Sequence, residues 1–163
     1  MKTCLMRYIE KSIYMNNFLG HSAEWESWCI YNIFKGFGYE VDILNWKGAV
    51  NIERTYDVVF DVRNLEELRK AFRPDTFKML HLTGSDGLIR NRIAEWRMEQ
   101  ANARKNGILR STRMIPDPDT IYRSIELADY VTLDGNLTTL HTYPERYWSK
   151  IHLVNITSTW IGD

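Results

Sequence analysis

The segment Thr83-Gly84-Ser85-Asp86-Gly87 is the stretch of this sequence with the strongest chemical character. Backbone N–H groups at a glycine-rich helix start suit hydroxyl or phosphate oxygens. The same residues also read as an ordinary strand-to-helix turn with Ser85 or Asp86 as N-cap. His21 precedes a helix that starts near Ser22, and a neutral imidazole there can accept a proton from a substrate hydroxyl near neutral pH. Its alternative role is to cap or pack on that helix. Arg110 and Arg113 stand where a loop can bring them toward strand ends, as partners of an anionic substrate or product, or as ordinary surface ion pairs. Trp25 and Trp28 have rings that can stack on a sugar, although a tryptophan on so apolar a helix belongs more naturally to the core, and Trp28 is read that way.

Other chemistries lack their residues. No G-x-G-x-x-G follows the first strand and no G-x-x-x-x-G-K-[ST] occurs, so the phosphate cradles of dinucleotide-binding and P-loop proteins are missing. No G-x-S-x-G elbow marks a hydrolase. Cys4 and Cys29 are too few for a disulfide framework and lack metal-ligand spacing, so no metal and no cofactor are expected, and a reducing cytoplasm fits. Lys plus Arg and Asp plus Glu are both 21, which removes a global basic field for nucleic acid. Arg7 and Glu10 interrupt the N-terminal apolar run well short of a signal core or a membrane span, and without a secretory signal the Asn136-Leu137-Thr138 and Asn155-Ile156-Thr157 triplets carry no meaning as glycosylation acceptors.

The elements that must hold these residues alternate in type. Cys4 to Ile9 reads as a first strand, and Glu10 to His21 as a loop with turn residues Asn16, Asn17 and Gly20. A helix follows from Ser22, with Glu24 and Glu26 in the first turn where the helix dipole favours acids, and Gly36 and Gly38 closing it. Its stripes Trp25, Cys29, Ile33 and Ile30, Phe34, Phe37 predict burial against a sheet. Strands are expected at Tyr39 to Trp46, Asp57 to Asp61, Lys78 to Leu82, Tyr130 to Leu133 and Ile151 to Val154. Helices are expected at Leu65 to Phe72, from Leu88 to near Gly107 on the surface, and around Ile121 to Ala128 after the Pro116-Asp117-Pro118-Asp119 break. Asp134-Gly135-Asn136 turns out of its strand, and Asn155 to Asp163 is a tail. A chain of 163 residues with this alternation is one α/β domain, a Rossmann-like three-layer sandwich with a mostly parallel central sheet. In such a sheet ligands bind beyond the carboxyl ends of the strands, so Glu10 to His21, the Thr83 loop and Asp134 to Asn136 should share one edge.

A resemblance accompanies this reading. Gly20-His21-Ser22-Ala23-Glu24-Trp25-Glu26-Ser27, Gly38-Tyr39-Glu40-Val41-Asp42 and Tyr56-Asp57-Val58-Val59-Phe60 look like the opening of certain microbial GT-B glycosyltransferases. Leu80-His81-Leu82-Thr83-Gly84-Ser85, Asn91 through Arg97, Ala128-Asp129-Tyr130-Val131 and the run from Asp134 to Tyr143 resemble their later segments in the same order. The likeness covers roughly the whole chain and rests on serial order, since each piece alone is only moderately specific. It implies the N-terminal, acceptor-side domain of an enzyme that moves a sugar from a nucleotide-sugar to an acceptor hydroxyl without a required metal. It further implies that His21 is catalytic and that Glu24, Thr83, Gly84, Ser85, Arg113, Asn136 and Thr138 line the substrate cleft. The donor-gripping second domain with its paired glutamates is absent from this sequence, so the expected partners are a sugar acceptor and a nucleotide-sugar held by that separate domain, and the chain alone should be inactive. An apolar surface left uncovered by the missing half would favour a homodimer. The expected location is cytoplasmic, with peripheral attachment to a membrane left open. The competing expectation is a stand-alone Rossmann-like or flavodoxin-like binding module without catalysis.

Overall fold

A computed structural model describes residues 1–15, 22–105, 108–110 and 114–154. Its centre is a six-stranded sheet in the order β2-β1-β3-β4-β5-β6, with every neighbouring pair parallel. The strands are β1 (Lys2–Tyr8), β2 (Tyr39–Asn45), β3 (Val58–Asp61), β4 (Phe77–Leu82), β5 (Tyr130–Asp134) and β6 (Ile151–Val154). Their apolar content follows their position. All four residues of the central β3, Val-Val-Phe-Asp, are buried, whereas the edge strand β2 is half-buried along its length.

The pleat sends alternate side chains to opposite faces, and each face has its own cover. On one face, α2 (Ser22–Gly36) lays Phe34 against Cys4, Met6, Tyr8, Val58 and Phe60. On the other, the 3-10 turn Leu65–Ala71 and α4 (Asp119–Leu127) enclose Leu5, Val59, Leu80, Leu82, Val131 and Leu133. The result is the expected three-layer α/β sandwich with a Rossmann-like parallel sheet.

Four local features differ from the sequence expectation. A short helix, α1 (Lys11–Met15), occupies the start of the segment read as loop from Glu10 to His21, and Ser12 helps set it by donating to the Ile9 carbonyl at 2.7 Å. α5 (Leu137–Leu140) and a 3-10 turn at Glu145–Lys150 fill a stretch for which no element was expected. Both are too short for a helical period to show. The segment Leu65–Ala71 is a 3-10 turn and not an α-helix, started by the Asn64 side chain, which accepts from the Glu66 backbone N–H. In α2 the stripe with Ile30 and Phe34 packs on the sheet as expected, but Glu26 and Ser27 are buried with it while Ile33, and Phe37 just beyond the helix, are exposed.

The long helix α3 (Gly87–Lys105) is a surface helix as expected; Gly87 is its buried residue, and Ile93 and Trp96 stand in solvent. Two asparagines tie it to the returning chain. Asn91 donates to the Ile115 carbonyl and accepts from the Ile115 N–H, both at 2.9 Å, and Asn102 does the same with Leu109.

Because all strands run the same way, the segments that leave β1, β4 and β5 emerge on one edge of the sheet, the edge at which open α/β sheets hold ligands. At the crossover between β1 and β3 that edge carries a buried ion pair. Arg7 donates to both oxygens of Asp61 at 2.7 Å, to the Asn64 carbonyl at 2.6 Å, and to Glu67. Asp61 in turn accepts from the Val62 and Asn64 backbone N–H groups. Each partner of the pair thus has its remaining polar valences filled, which a buried pair needs to offset its desolvation.

Candidate functional site

On the opposite face of the same edge, four ionisable side chains from four elements meet. Tyr8 closes β1, Glu26 lies in the second turn of α2, His81 is the penultimate residue of β4, and Asp134 ends β5. Strand pairing sets their spacing: β4 and β5 register His81 on Thr132, which places Asp134 just beyond it at the carboxyl end. The helix α2 is anchored above them by the Ser27 hydroxyl, which donates to the Ile9 carbonyl at 3.0 Å and thereby fixes Glu26 over the strand ends.

The contacts form a chain. The Tyr8 hydroxyl donates to Glu26 Oε2 at 2.5 Å, and Glu26 Oε1 lies 3.0 Å from His81 Nε2. His81 Nδ1 is 2.8 Å from Thr132 Oγ1, and its Nε2 is 3.9 Å from Asp134 Oδ2. Glu26 and His81 are nearly sealed, with side chains 7% and 4% exposed, against 14% for Asp134. Asp134 Oδ1 is the one buried side-chain nitrogen or oxygen among the described residues without a hydrogen-bond partner.

The electrostatics follow from this packing. Burial, then the neighbouring Glu26 carboxylate, pushes Asp134 up to about 6, into the range where a carboxyl holds a proton near neutrality. Burial acts on Glu26 in the same direction, but hydrogen bonds from His81 and Tyr8 outweigh it and hold Glu26 below the usual carboxylate range. Burial and the adjacent Glu26 push the Tyr8 phenol up, so it stays a hydrogen-bond donor. The two carboxylates are therefore driven apart in proton affinity, the pattern that separates proton-holding from proton-accepting groups. A groove of about 580 Å³ on this sheet face reaches Glu26, His81 and Thr132 at one end and is walled by Ile33, Phe37 and Phe77 at the other.

The residues expected from sequence to form the site fall around this centre in different ways. His21 and Arg113 lie outside the described residues, as does the tail from Asn155 to Asp163. Glu24 is half-buried in the first turn of α2, two positions before Glu26. Thr83 is exposed, and Gly84 and Ser85 are half-buried where the chain leaves β4, just after His81. Gly84 adopts φ 152° and its carbonyl accepts the Tyr143 hydroxyl at 2.7 Å. Asp86 is the N-cap of α3. Its Oδ1 accepts the Leu88 N–H at 2.8 Å and its Oδ2 accepts the Tyr122 hydroxyl at 2.6 Å. Asn136 caps α5 by accepting the Thr139 N–H at 3.1 Å, and Thr138 is exposed on that helix, not on a strand end. Trp25 and Trp28 are half-buried and stacked, with ring centres 5.1 Å apart, and Arg110 is exposed.

Tyr8, Glu26, His81 and Asp134 were not singled out from sequence as site residues. Their signals were present: a histidine between two leucines in a strand, an acid within an apolar helix, and acids or phenols at strand ends. Polar residues in those places need buried partners, which the sequence does not name. No family model, curated protein or solved structure matches this chain.

Proposed function

We propose that this chain is the acceptor-side half of a glycosyltransferase, moving a sugar from a nucleotide-sugar held by a second domain to an acceptor hydroxyl. The observation that carries the reading is the buried Tyr8, Glu26, His81 and Asp134 centre at the carboxyl edge of an all-parallel sheet. Transfer to a hydroxyl requires a proton acceptor near the attacking oxygen, and an imidazole backed by a carboxylate is suited to that task. The loops after β4 and β5, with Thr83, Gly84, Ser85, Asn136 and Thr138, leave the sheet on the same edge and offer hydroxyl, amide and backbone groups to a polyol. Glu24 at the start of α2 joins them, and the expected catalytic role of His21 and the expected pairing of Arg113 with an anionic group fall on residues outside those described. The exposed Ile33, Phe37 and Phe77 form an apolar wall that the second domain, or a second copy of the chain, would cover.

A second reading, a stand-alone flavodoxin-like binding module, is favoured by the strand order, in which β2-β1-β3-β4-β5 is the flavodoxin arrangement extended by β6. Its ligand would sit over the crossover between β1 and β3. The two readings separate in amide chemical-shift maps of the chain titrated with a panel of mono- and oligosaccharides and, separately, with flavin and nucleotide cofactors. The transferase reading expects saccharide-induced shifts at Thr83, Ser85 and Asn136. Shifts confined to residues 9–11 and 62–64 with a flavin or nucleotide, and none with any saccharide, would select the binding module instead.

A further inference from the structure

We infer that Glu26, His81 and Asp134 form a binding site for one divalent transition-metal cation of the zinc class. Each supplies one donor atom, and the three atoms lie within 4.8 Å of one another. Bonds of about 2.0–2.2 Å to imidazole nitrogen and carboxylate oxygen place tetrahedral ligands about 3.2–3.6 Å apart, so side-chain adjustments of under about 1 Å close this set around an ion. The separations of 3.0 and 3.9 Å from His81 Nε2 to the two carboxylates straddle that range.

Three further observations point to a cation. First, Asp134 Oδ1 is buried with no hydrogen-bond partner, a costly state for a carboxylate oxygen that a metal bond would relieve. Second, among the described residues no lysine or arginine pairs with either of these carboxylates, and their one basic neighbour is His81, so the centre is short of positive charge. Third, the outer partners are already in place. Thr132 Oγ1 engages His81 Nδ1 and Tyr8 engages Glu26 Oε2, so His81 Nε2 and Glu26 Oε1 face each other at 3.0 Å beside Asp134. Metal-binding histidines are oriented in this way by a hydrogen bond from the other ring nitrogen. One imidazole with two carboxylates suits zinc, cobalt or manganese over calcium or magnesium, which favour all-oxygen sets. Three protein ligands leave a fourth position open toward the groove that Glu26 and His81 line. Binding sends the proton held at Nε2 or on the carboxyl pair to solvent, so cation and proton are alternatives at this centre.

The inference goes beyond the transferase reading, because binding is measured with no sugar present. The chelator-stripped chain is titrated with Zn²⁺ by calorimetry and with Co²⁺ by visible absorption, and its histidine ring nitrogens are followed by ¹⁵N spectra. The expected result is one equivalent bound, a shift of His81 Nε2 with little change at the other histidines, and an affinity about 10–100-fold lower in Asp134→Asn and His81→Gln. The double substitution His141→Gln with His152→Gln, on exposed histidines outside the centre, should leave affinity unchanged. Absence of saturable binding in the wild-type chain overturns the inference. So does a ¹⁵N response confined to His141 or His152, a readout that stands even if the Asp134 or His81 variant fails to fold.

Discussion

At the scale of single residues, the molecule places its charges inside more boldly than its neutral formal charge suggests. Arg7 and Asp61 are 1% and 0% exposed, and the guanidinium and carboxylate satisfy each other through paired hydrogen bonds. Removing Asp61 leaves the buried guanidinium with the half-exposed Glu67 and the Asn64 carbonyl alone, and its Nε unpaired. Asp61→Ala should therefore cost about 3–5 kcal/mol of stability, read as a lower urea midpoint at unchanged slope. A cost below about 1 kcal/mol would mean that Arg7 finds solvent or another acid when Asp61 is gone. The Tyr8, Glu26, His81 and Asp134 centre is a different design. There two carboxylates face one imidazole, without the one-to-one match that Arg7 and Asp61 make.

At the scale of elements, the strands were legible from their apolar runs and alternation, and the long helices were legible by position rather than by face. Val58–Asp61 and Tyr130–Asp134 are short apolar runs bounded by acids, and both are strands in the sheet. α3 was legible as a surface helix from its many charges, although its apolar stripe is not an inward face, since Ile93 and Trp96 are exposed. The inward face of α2 was not legible. Its buried side includes Glu26 and Ser27, whose reason for being inside is His81, Tyr8 and the Ile9 carbonyl, all distant in sequence. The loop residues were legible as an edge but not as a site. Asp86 and the Asn136 side-chain oxygen cap helices, so this turn chemistry serves local structure, and the buried ionisable cluster comes from strand ends and α2. The turn after β5 is also where a glycine is required. Gly135 has φ 154°, and a Cβ there would lie 2.7 Å from both the Cβ and Oγ1 of Thr139 in α5. Gly135→Ala should destabilise by about 1–3 kcal/mol through this overlap, seen as a lower melting temperature. The double variant with Thr139→Gly should recover part of that loss, and no recovery would assign the cost to the backbone angle alone.

At the scale of the whole molecule, the parallel sheet leaves one carboxyl edge on which the Tyr8, Glu26, His81 and Asp134 centre and the loops after β4 and β5 are gathered, beside a sheet face with exposed Ile33, Phe37 and Phe77. The fold class was within reach of the sequence because alternating strands and helices admit few other packings. The site needed three dimensions, since its four residues span from position 8 to position 134. The most direct measurement of the central claim is sugar transfer by this chain mixed with a separately made donor-binding domain, a panel of nucleotide-sugars and acceptors, and chelator to keep the centre metal-free. The account predicts transfer that depends on both halves and falls by at least about 100-fold in His81→Gln and in Glu26→Gln variants that remain folded. Transfer that persists undiminished in both variants, or no transfer with any donor and acceptor pair, would contradict it.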